Sequence, residues 1–395
     1  MHMEQAVIVD YARTPISRSR PDAPEKDVFG SMRADELAAL VIKELVKRSK
    51  VPADKIDDCV IGCAFPVNEN WSDGGRLVSL LAGLPFEVPA VAIDRQCASS
   101  MTTIQTGAME IMTGMAINGL VLAGGMEHMT RVPMSLIGSF KLNDTFLSDP
   151  RFDSKTALSM GLTAEKLFAE SGLTKTDMDA WSLKSHQRAA KAQKEGYFAS
   201  EILPVDVMLP DGKKTIKDDQ SVRGDTTLEK IASLKPAFKD DGAITAGNAS
   251  PLNAGAAFTL LASKTAAKQY KLKPLATIKA MSVAGVDPTV MGKGPVPASI
   301  KLLEKARLQP KDIDYWEINE AFAIVPLYAI KMLKLDPERV NIKGGAIAIG
   351  HPLGASGARV TGTLARILNE KKARYGIATL CVGAGQGAAI LLERE

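Results

Sequence analysis

The feature that most constrains the fold of this chain is an internal repeat, in which two segments match at an offset of 257 residues. Residues 56–65 read IDDCVIGCAF and residues 313–322 read IDYWEINEAF, so that five positions are identical. At the same offset, residues 98–99 and 355–356 both read Ala-Ser, and each pair begins a predicted helix. Matches that keep their order at one offset indicate a duplicated unit. We therefore expect a ligand to bind where the two copies meet, with chemical groups supplied by equivalent loops.

Both copies alternate short apolar runs with amphipathic stretches. Strands are predicted for the apolar runs at residues 6–9, 59–61, 90–93, 120–122, 315–318, 346–349, 377–382 and 389–392. Helices are predicted where apolar residues recur at helical spacing, around residues 37–45, 101–112 and 360–368. This alternation predicts an α/β fold with a layered, largely parallel or mixed sheet.

The segment at about 126–247 interrupts the alternation. Between Asp211 and Asp241 it carries seven Lys or Arg and seven Asp or Glu residues, a balance that is typical of a solvated surface. Helices are predicted at 163–171 and 176–195. The segment is therefore interpreted as an insertion rather than as a third copy of the repeated unit.

Composition excludes several classes of function. The net charge is only +4 over 395 residues, so the chain lacks the excess of Lys and Arg that binding to a nucleic acid backbone requires. The chain has no apolar run of 18 residues that would span a membrane. Four Cys residues do not make a disulfide framework, and four His residues argue against a polyhistidine metal centre. The N-terminal residues lack the pattern of a signal peptide, so a cytoplasmic protein is expected. Because Cys and His residues are few, no bound metal is expected.

Cys97 is the first candidate for chemistry. It lies between a predicted strand and a predicted amphipathic helix, in the segment Asp94–Ser100. A thiol at a helix N-terminus is close to the positive end of the helix dipole, which stabilises the thiolate. Neighbouring N–H groups can also bind an oxyanion that develops during a reaction. The alternative is that Cys97 is a small buried apolar residue.

His351 favours the reactive interpretation of Cys97. It lies in the segment 350–359, GHPLGASGAR, whose Gly and Pro residues predict a shaped loop rather than a helix interior. This loop is the strand-to-helix turn of the second copy, and Cys97 occupies the equivalent turn of the first. The duplication would bring the two turns together, and a His beside a Cys is the usual way to generate a nucleophilic thiolate.

Two further segments can supply polar groups. Cys381 ends a predicted strand and begins the Gly-rich segment CVGAGQG, in which backbone amides can approach a ligand closely. Asn319 follows the predicted strand 315–318 of the second copy. Its amide can orient a water molecule or donate to a carbonyl oxygen; the alternative is an ordinary residue of a turn.

The remaining Cys and His residues are given no role in the chemistry. Cys59 and Cys63 are four residues apart, which on a strand corresponds to about 13 Å, too far for a disulfide. They also lack the additional Cys or His pair of a zinc site. His128 is interpreted as a structural residue that can line a pocket, and His186, on a charged helix, is expected at the surface.

Taken in order, the motifs resemble those of the thiolases. They are RQCASS around Cys97, TAGNAS at 245–250, GVDPTVMGKGPVPA at 285–298, NEAFA at 319–323, GHPLGASGAR at 350–359 and TLCVGAGQG at 379–387. The resemblance is colinear over essentially the whole chain. Three further segments resemble bacterial degradative 3-ketoacyl-CoA thiolases rather than biosynthetic acetoacetyl-CoA thiolases: MTG at 112–114, GMEHM at 125–129 and SMGLTAE at 159–165.

The resemblance implies a fold of two βαβαβαββ halves, stacked as five layers in the order α-β-α-β-α. It implies an N-terminal half at 1–123 plus 248–274, an inserted loop domain at 124–247 that binds coenzyme A (CoA) and makes oligomer contacts, and a C-terminal half at 275–395. It further implies a homodimer or homotetramer, and for some members assembly with a multifunctional β-oxidation subunit.

The resemblance also implies roles for five residues. Cys97 is the expected nucleophile, His351 its base, and Cys381 the second thiol that moves protons. His351 and a water held by Asn319 are expected to form one oxyanion hole, and the N–H groups of Cys97 and Gly383 the other. Each oxyanion donor is expected to lower the barrier by about 3 kcal/mol.

Contacts to CoA, a co-substrate rather than a bound cofactor, are implied by motif alone. The expected residues are Met160, Arg223, Phe238, Ala246, Ser250, Met291, Ala321 and Phe322. Arg223 is expected to meet adenine or phosphate, and Ser250 a pantetheine amide. Ser159 departs from the biosynthetic branch, which has a His there, so that the biosynthetic pocket does not transfer without change.

Three alternatives to the degradative reaction stay open. One is acetoacetyl-CoA thiolase activity in the biosynthetic direction. Another is a condensing synthase of the same fold, although such enzymes pair Cys with two His, or with His and Asn, where this chain has Cys381. The third is a non-catalytic subunit that binds CoA esters, which would show no acyl transfer to Cys97.

Overall fold

The computed structural model describes residues 4–395. Its strands are β1 (Ala6–Arg13), β2 (Ser17–Arg18), β3 (Asp58–Gly62), β4 (Ala90–Ile93), β5 (Leu120–His128), β6 (Val205–Leu209), β7 (Gly212–Ile216), β8 (Asn253–Ser263), β9 (Ala276–Gly285), β10 (Tyr315–Ile318), β11 (Tyr375–Val382) and β12 (Gln386–Arg394). Its helices are α1 (Ala34–Ser49), α2 (Arg76–Leu81), α3 (Ser99–Thr113), α4 (Asp144–Leu147), α5 (Ser154–Leu158), α6 (Met160–Ser171), α7 (Lys175–Lys194), α8 (Leu228–Ala232), α9 (Lys264–Gln269), α10 (Pro295–Ala306), α11 (Ile324–Leu333), α12 (Ala346–Ile349) and α13 (Leu353–Lys371).

Two half-sheets of the same topology form the framework. The first runs in the order β4-β3-β5-β8-β1, and the second runs in the order β10-β11-β12-β9. In the first, β3 and β5 are parallel while β8 is antiparallel to β5 and β1. In the second, β10 and β11 are parallel while β12 is antiparallel to β11 and β9. Apart from β4, which has no counterpart strand in the second half, strand order and direction therefore match between the halves, as the sequence repeat predicts.

The half-sheets are joined by their innermost strands. β1 pairs with β9 antiparallel over two positions, Val7 with Thr277 and Ile8 with Ala276. Because β1 also pairs along its length with β8, residues Ala6–Arg13 lie at the centre of the combined sheet.

Helices complete a five-layer arrangement, α-β-α-β-α. α3 and α13 lie between the half-sheets, where Met101, Ile104 and Leu364 are fully buried in one apolar core. α1 covers the outer face of the first half-sheet, and α10 and α11 cover the outer face of the second. The two central helices pack so closely that a Cβ at Gly357 would clash with the backbone nitrogen of Met101. The fold expected from the resemblance is confirmed.

One predicted strand is wrong. Residues 346–349 form the short helix α12, although the equivalent residues of the first half form β4. Their positions are fixed by side chains, because Gly345 N donates to Ser185 Oγ at 3.0 Å and Ile347 N donates to Glu320 Oε2 at 3.2 Å. All four residues of α12 are buried, so the apolar run could not distinguish a buried helix from a buried strand.

The inserted segment follows β5. It contains α4 to α8 and the β6–β7 hairpin, and its charged stretch from 211 to 241 is largely exposed, as expected. β5 runs on to residue 128 and so passes through the expected domain boundary at 123; the three-part division stays a prediction. Among the helices of residues 4–395, none has the length and apolarity needed to cross a membrane.

Candidate active site

Cys97 occupies a tight turn between β4 and α3. The turn is a 3-10 helix, Gln96–Ala98, and it begins with Gln96 at a left-handed φ of 43°. Side chains hold this conformation, since Gln96 N donates to Asp94 Oδ1 at 2.7 Å and Gln96 Nε2 donates to Ala64 O at 3.1 Å. The Ser99 hydroxyl donates to Gln96 O at 2.7 Å. Both the approach to Cys97 and the start of α3 are therefore fixed before a ligand binds.

Burial dominates the acidity of the Cys97 thiol. It raises the pKa of Cys97 to about 11, against the opposing effect of the N–H groups of Gly383 and of Cys97 itself, which lower it. The expected stabilisation of a thiolate by backbone N–H groups is present, but burial outweighs it. At neutral pH the resting residue is a thiol, and a base is needed to activate it.

His351 lies on the turn that precedes α13. Gly350 has a φ of 118°, and the next peptide N–H, that of His351, donates to Asn253 Oδ1 at 2.7 Å. His351 Nδ1 is 2.6 Å from Ser356 Oγ, whose own proton is donated to Pro352 O at 2.8 Å. The Ser356 oxygen therefore accepts the proton of Nδ1, which leaves Nε2 unprotonated and able to act as a base.

The charge state of His351 agrees with that role. Burial, and then the nearby Arg359 guanidinium, lowers the pKa of His351 to about 3. The imidazole is neutral at physiological pH, so its Nε2 lone pair is available. A neutral base beside a neutral thiol is the resting state of the site.

Asn319 contacts the same imidazole. Its Nδ2 lies 3.3 Å from His351 Nε2, and its Oδ1 accepts from Arg359 Nη2 at 3.5 Å. Arg359 is held in turn by Glu317 at 3.2 Å, and both ionic groups are buried. Because the guanidinium occupies the oxygen side of the amide, the NH2 group of Asn319 is directed toward His351.

Cys381 is the last residue but one of β11 and is fully buried. Burial raises the pKa of its thiol, and the proximity of Cys97 raises it further. The two thiols are thus close enough that they cannot both be ionised at low cost. Gly383, two residues later, provides one of the N–H groups that reach Cys97.

These groups meet at a cavity of about 250 Å³. Cys97, His351 and Gly383 line it. Asn319, which contacts His351, and Cys381, which lies close to Cys97, are not part of its lining. Six of the eight residues expected to contact CoA also line it: Met160, Phe238, Ser250, Met291, Ala321 and Phe322. Its lining is mostly apolar, which suits a flexible pantetheine arm and an acyl chain.

The other two expected residues, Arg223 and Ala246, line a second cavity of about 390 Å³. Its wall also contains Arg18 and Lys230, and Pro251 belongs to both cavities. The expected CoA contacts are therefore divided between an apolar cavity at the thiols and an adjoining charged one.

His186 corrects one expectation. It was expected at the surface, but it is buried on α7, and its Nδ1 accepts from Arg223 N at 3.2 Å. Burial, and then the charge of Arg223, lowers the pKa of His186 to about 4. The signal available in the sequence was that His186 shares one face of the helix with Ser182, Ser185 and Ala189, which are also buried.

Sequence reasoning missed the residues that hold the two halves of the site together. The Glu127 carboxylate accepts from Ala64 N in the first half and from Gly354 N in the second, each at 2.9 Å. Cys63 donates to the same carboxylate at 3.5 Å, which gives this thiol a structural place. Burial raises the pKa of Glu127 to about 7. The motif GMEHM marked the segment, but only the fold shows which groups Glu127 joins.

The other dismissed residues are part of the core. Cys59 is buried in the outer core of the first half, and His128 Nε2 lies 3.0 Å from Phe29 O. Within residues 4–395, no group of three or more His, Cys, Asp or Glu side chains is placed to hold a metal ion.

Comparisons with known proteins agree with this geometry. The family described as "Thiolase, N-terminal domain" matches residues 6–265, and "Thiolase, C-terminal domain" matches residues 272–394. A 3-ketoacyl-CoA thiolase of Marinobacter nauticus is 40% identical over 404 residues, covering 100% of this chain and 99% of the relative. One from Klebsiella pneumoniae is 44% identical over 398 residues, covering 99% and 100%. The crystal structure of the Bacillus anthracis acetyl-CoA acetyltransferase superposes with a TM-score of 0.88 at 38% identity, covering 100% of both chains.

Proposed function

This chain belongs to the thiolase family, and on that premise we propose that it uses CoA to cleave a 3-ketoacyl-CoA into acetyl-CoA and a shortened acyl-CoA, as in fatty acid β-oxidation. The observation that carries the proposal is that Cys97 and His351 line one cavity, while the buried thiol of Cys381 lies close to Cys97. Cleavage of a carbon–carbon bond next to a thioester needs a nucleophile, a base and a separate proton carrier. These three side chains supply them.

The first half-reaction acylates Cys97. His351 Nε2 takes the thiol proton, and the sulfur attacks the 3-keto carbon. In the resting enzyme the N–H groups of Cys97 and Gly383 donate to the sulfur, and on attack they are placed to stabilise the new oxyanion. The bond between C2 and C3 then breaks, leaving an acyl group on Cys97 and the enolate of acetyl-CoA.

The enolate must then be stabilised and protonated. Its thioester oxygen is held by protonated His351 and by a water positioned by the Asn319 amide. Cys381 gives its proton to C2, and acetyl-CoA leaves. The Cys381 thiolate next takes the proton of an incoming CoA thiol, whose sulfur attacks acyl-Cys97. Release of the acyl-CoA returns the proton of His351 to Cys97, so that every group regains its starting state.

The two cavities divide the recognition of CoA in this proposal. Pantetheine occupies the apolar cavity, where Ser250 offers a polar group to its amides, and the nucleotide end occupies the cavity with Arg223. Met160, Phe238, Met291 and Phe322 form the apolar walls.

The biosynthetic direction is the second candidate. The Bacillus anthracis structure, whose name is acetyl-CoA acetyltransferase, favours it. Ser159 argues against it, because this residue lines the catalytic cavity at the position where the biosynthetic branch has a His. The names of the relatives at 40–44% identity favour degradation. A rate profile over 3-ketoacyl-CoA esters of increasing chain length distinguishes them, since a degradative enzyme retains activity on long chains.

Intact mass after reaction with acetoacetyl-CoA, followed by peptide mapping, tests the proposal. We expect one acetyl group on Cys97, which free CoA removes. Cys97→Ala should show no adduct and at least about a 10³-fold lower turnover, whereas Cys59→Ala, a matched change at a buried thiol away from the cavity, should still be acetylated. Absence of an adduct with both acetoacetyl-CoA and a long-chain 3-ketoacyl-CoA would leave a binding subunit as the better interpretation.

We further propose that the chain forms a homodimer or homotetramer in the cytoplasm. Among the strands of residues 4–395, only β3 pairs with β4, so the outer edge of β4 is open. Val91 on that strand and Leu80 and Leu81 on α2 are exposed apolar residues beside it. An open apolar edge favours pairing with another chain. Light scattering after size-exclusion chromatography, with and without Val91→Lys, tests this interface, and co-purification with a multifunctional β-oxidation subunit tests that further partner.

A further inference from the structure

The charged cavity contains cations without ionic partners. Arg18, Arg223 and Lys230 line it, and none of the three makes an ion pair within residues 4–395. One carboxylate, Asp225, is also part of the wall. His186 adds no charge, because its pKa is lowered to about 4 by burial and by Arg223. The cavity therefore has an excess of positive charge that the chain does not neutralise.

The cost of this arrangement is visible at Arg18. Burial lowers the pKa of its guanidinium, and the charges of Arg20 and Arg223 lower it further. Like charges brought together in a partly desolvated cavity are unfavourable unless an anion joins them. Arginine provides a planar set of donors that matches the oxygens of a phosphate.

The fold places Arg18 near the junction of the two cavities. Arg18 is on β2, and it pairs with Asn253 at the start of β8. The next backbone N–H, that of Ser19, donates to Leu252 O at 2.8 Å, one residue from Pro251 in the wall shared by both cavities. Asn253 in turn accepts from His351 N at 2.7 Å. A thioester that starts at Cys97 and passes Pro251 would bring its far end among these cations.

We propose that Arg18, together with Arg223 and Lys230, binds a phosphate group of CoA, so that this enzyme selects its thiol acceptor partly by phosphate. The inference rests on the proposed function, since it takes CoA as the acceptor. Arg18 comes from the N-terminal half, outside the inserted segment that holds the other two cations. The nucleotide site is thus formed by residues of both the N-terminal half and the inserted segment.

Deacylation of the acetyl-enzyme isolates this step. The enzyme is acetylated, freed of excess donor, and mixed with CoA, 3'-dephospho-CoA or pantetheine at a range of concentrations. We expect Arg18→Ala to lower the second-order rate constant for CoA about tenfold, the loss typical of one charge-assisted hydrogen bond, and to leave pantetheine unchanged. The maximal rate at saturating CoA should be unchanged. Lys214→Ala, which removes an exposed cation on β7, is the matched control.

The three acceptors give distinct outcomes. A loss with CoA alone assigns Arg18 to the 3'-phosphate, and a loss with both CoA and 3'-dephospho-CoA assigns it to the diphosphate; either supports the proposal. Equal loss with all three acceptors, or no loss with any, overturns it. Failure of the unmodified enzyme to be acetylated by any 3-ketoacyl-CoA would refute the thiolase reaction itself and is measured before the acceptor is added.

Discussion

The two halves of the molecule present equivalent turns to the same cavity but give them different chemical roles. In the first half the turn before α3 carries Cys97, which is reached mainly by backbone N–H groups. In the second half the turn before α13 carries His351, which is reached by the side chains of Ser356, Asn319 and Arg359. Duplication therefore determines where the backbone goes. Local contacts and burial determine which group is the nucleophile and which is the base.

A second difference between the halves lies at the edges of their sheets. The first half-sheet ends at β4, whose outer edge is open. In the second half, Asn341 Oδ1 accepts from Ile318 N on β10, and Asn341 Nδ2 donates to Ile318 O, each at 2.8 Å. The residues equivalent to β4 form α12, which packs against α7. A loop of the second half thus covers one edge, with α12 packed against α7 of the inserted segment, and the edge at β4 stays free for a partner.

Removing the base of the second half should have the largest effect. With a pKa of about 11, only about one Cys97 thiol in 10⁴ is ionised at pH 7 without help. We expect His351→Ala to slow acetylation of Cys97 by about 10³- to 10⁴-fold in a single-turnover measurement with acetoacetyl-CoA. A variant that keeps more than a tenth of the rate would show that the first half activates its own thiol.

Cys381→Ala should separate the two chemical steps. Transfer of acetyl from acetyl-CoA to Cys97 needs no proton on carbon. In that direction Cys381 only protonates the departing CoA thiolate, a much weaker base than the enolate, so we expect the rate to fall less than about tenfold. Cleavage of acetoacetyl-CoA needs protonation of the enolate and should fall about 10²- to 10⁴-fold. Equal loss in both reactions, measured by quenched flow, would contradict a separate proton carrier.

Asn319→Ala should have a smaller effect. Loss of one oxyanion donor corresponds to about 3 kcal/mol, or roughly a 10²-fold lower rate of enolate formation. The effect should appear in exchange of the C2 protons of acetyl-CoA with deuterium, with little change in acetylation of Cys97. If acetylation fell as much as exchange, the role of Asn319 would be limited to positioning His351.

The pH dependence should be the smallest effect of all. Burial depresses the pKa of His351 to about 3 and raises the pKa of Cys97 to about 11. Both groups are therefore neutral between about pH 5 and 9, and the rate of acetylation should vary less than about threefold there. Alkylation of Cys97 by an uncharged haloacetamide in His351→Ala should instead rise about tenfold per pH unit over the same range, because only the thiolate reacts. Glu127, whose pKa is about 7, can add a transition of its own. A sigmoidal acetylation profile centred near pH 7 that persists in Glu127→Gln would show that burial does not set the pKa values of Cys97 and His351.

The repeat made much of the framework predictable. Ten residues with five identities located β3 and β10, and the motifs around Cys97 and His351 located the turns that face each other. The pattern could not show the environment of an apolar run. Residues 346–349 and 90–93 look alike in sequence, but the first form a helix whose start is held by hydrogen bonds to Ser185 and Glu320. Arg18 escaped notice for a related reason. Its segment, Ser-Arg-Ser-Arg, has no periodicity, and its place in the site depends on pairing with Asn253 from a distant part of the chain.

The central position of β1 has a consequence for synthesis of the chain. Its apolar residues pair with β8 and β9, so that Ala6 finds its partner only after Ser263 has been made. At about 5–20 residues per second, the ribosome needs roughly 13–50 s to reach that point. During this time β8 is not yet available, so β1 cannot take its place in the first half-sheet. The apolar segment of β1 therefore stays unpaired while the inserted segment is being translated. β1 is thus translated long before the strands with which it pairs and can join the sheet only after them, so that nascent β1 offers an apolar segment to a chaperone in the meantime.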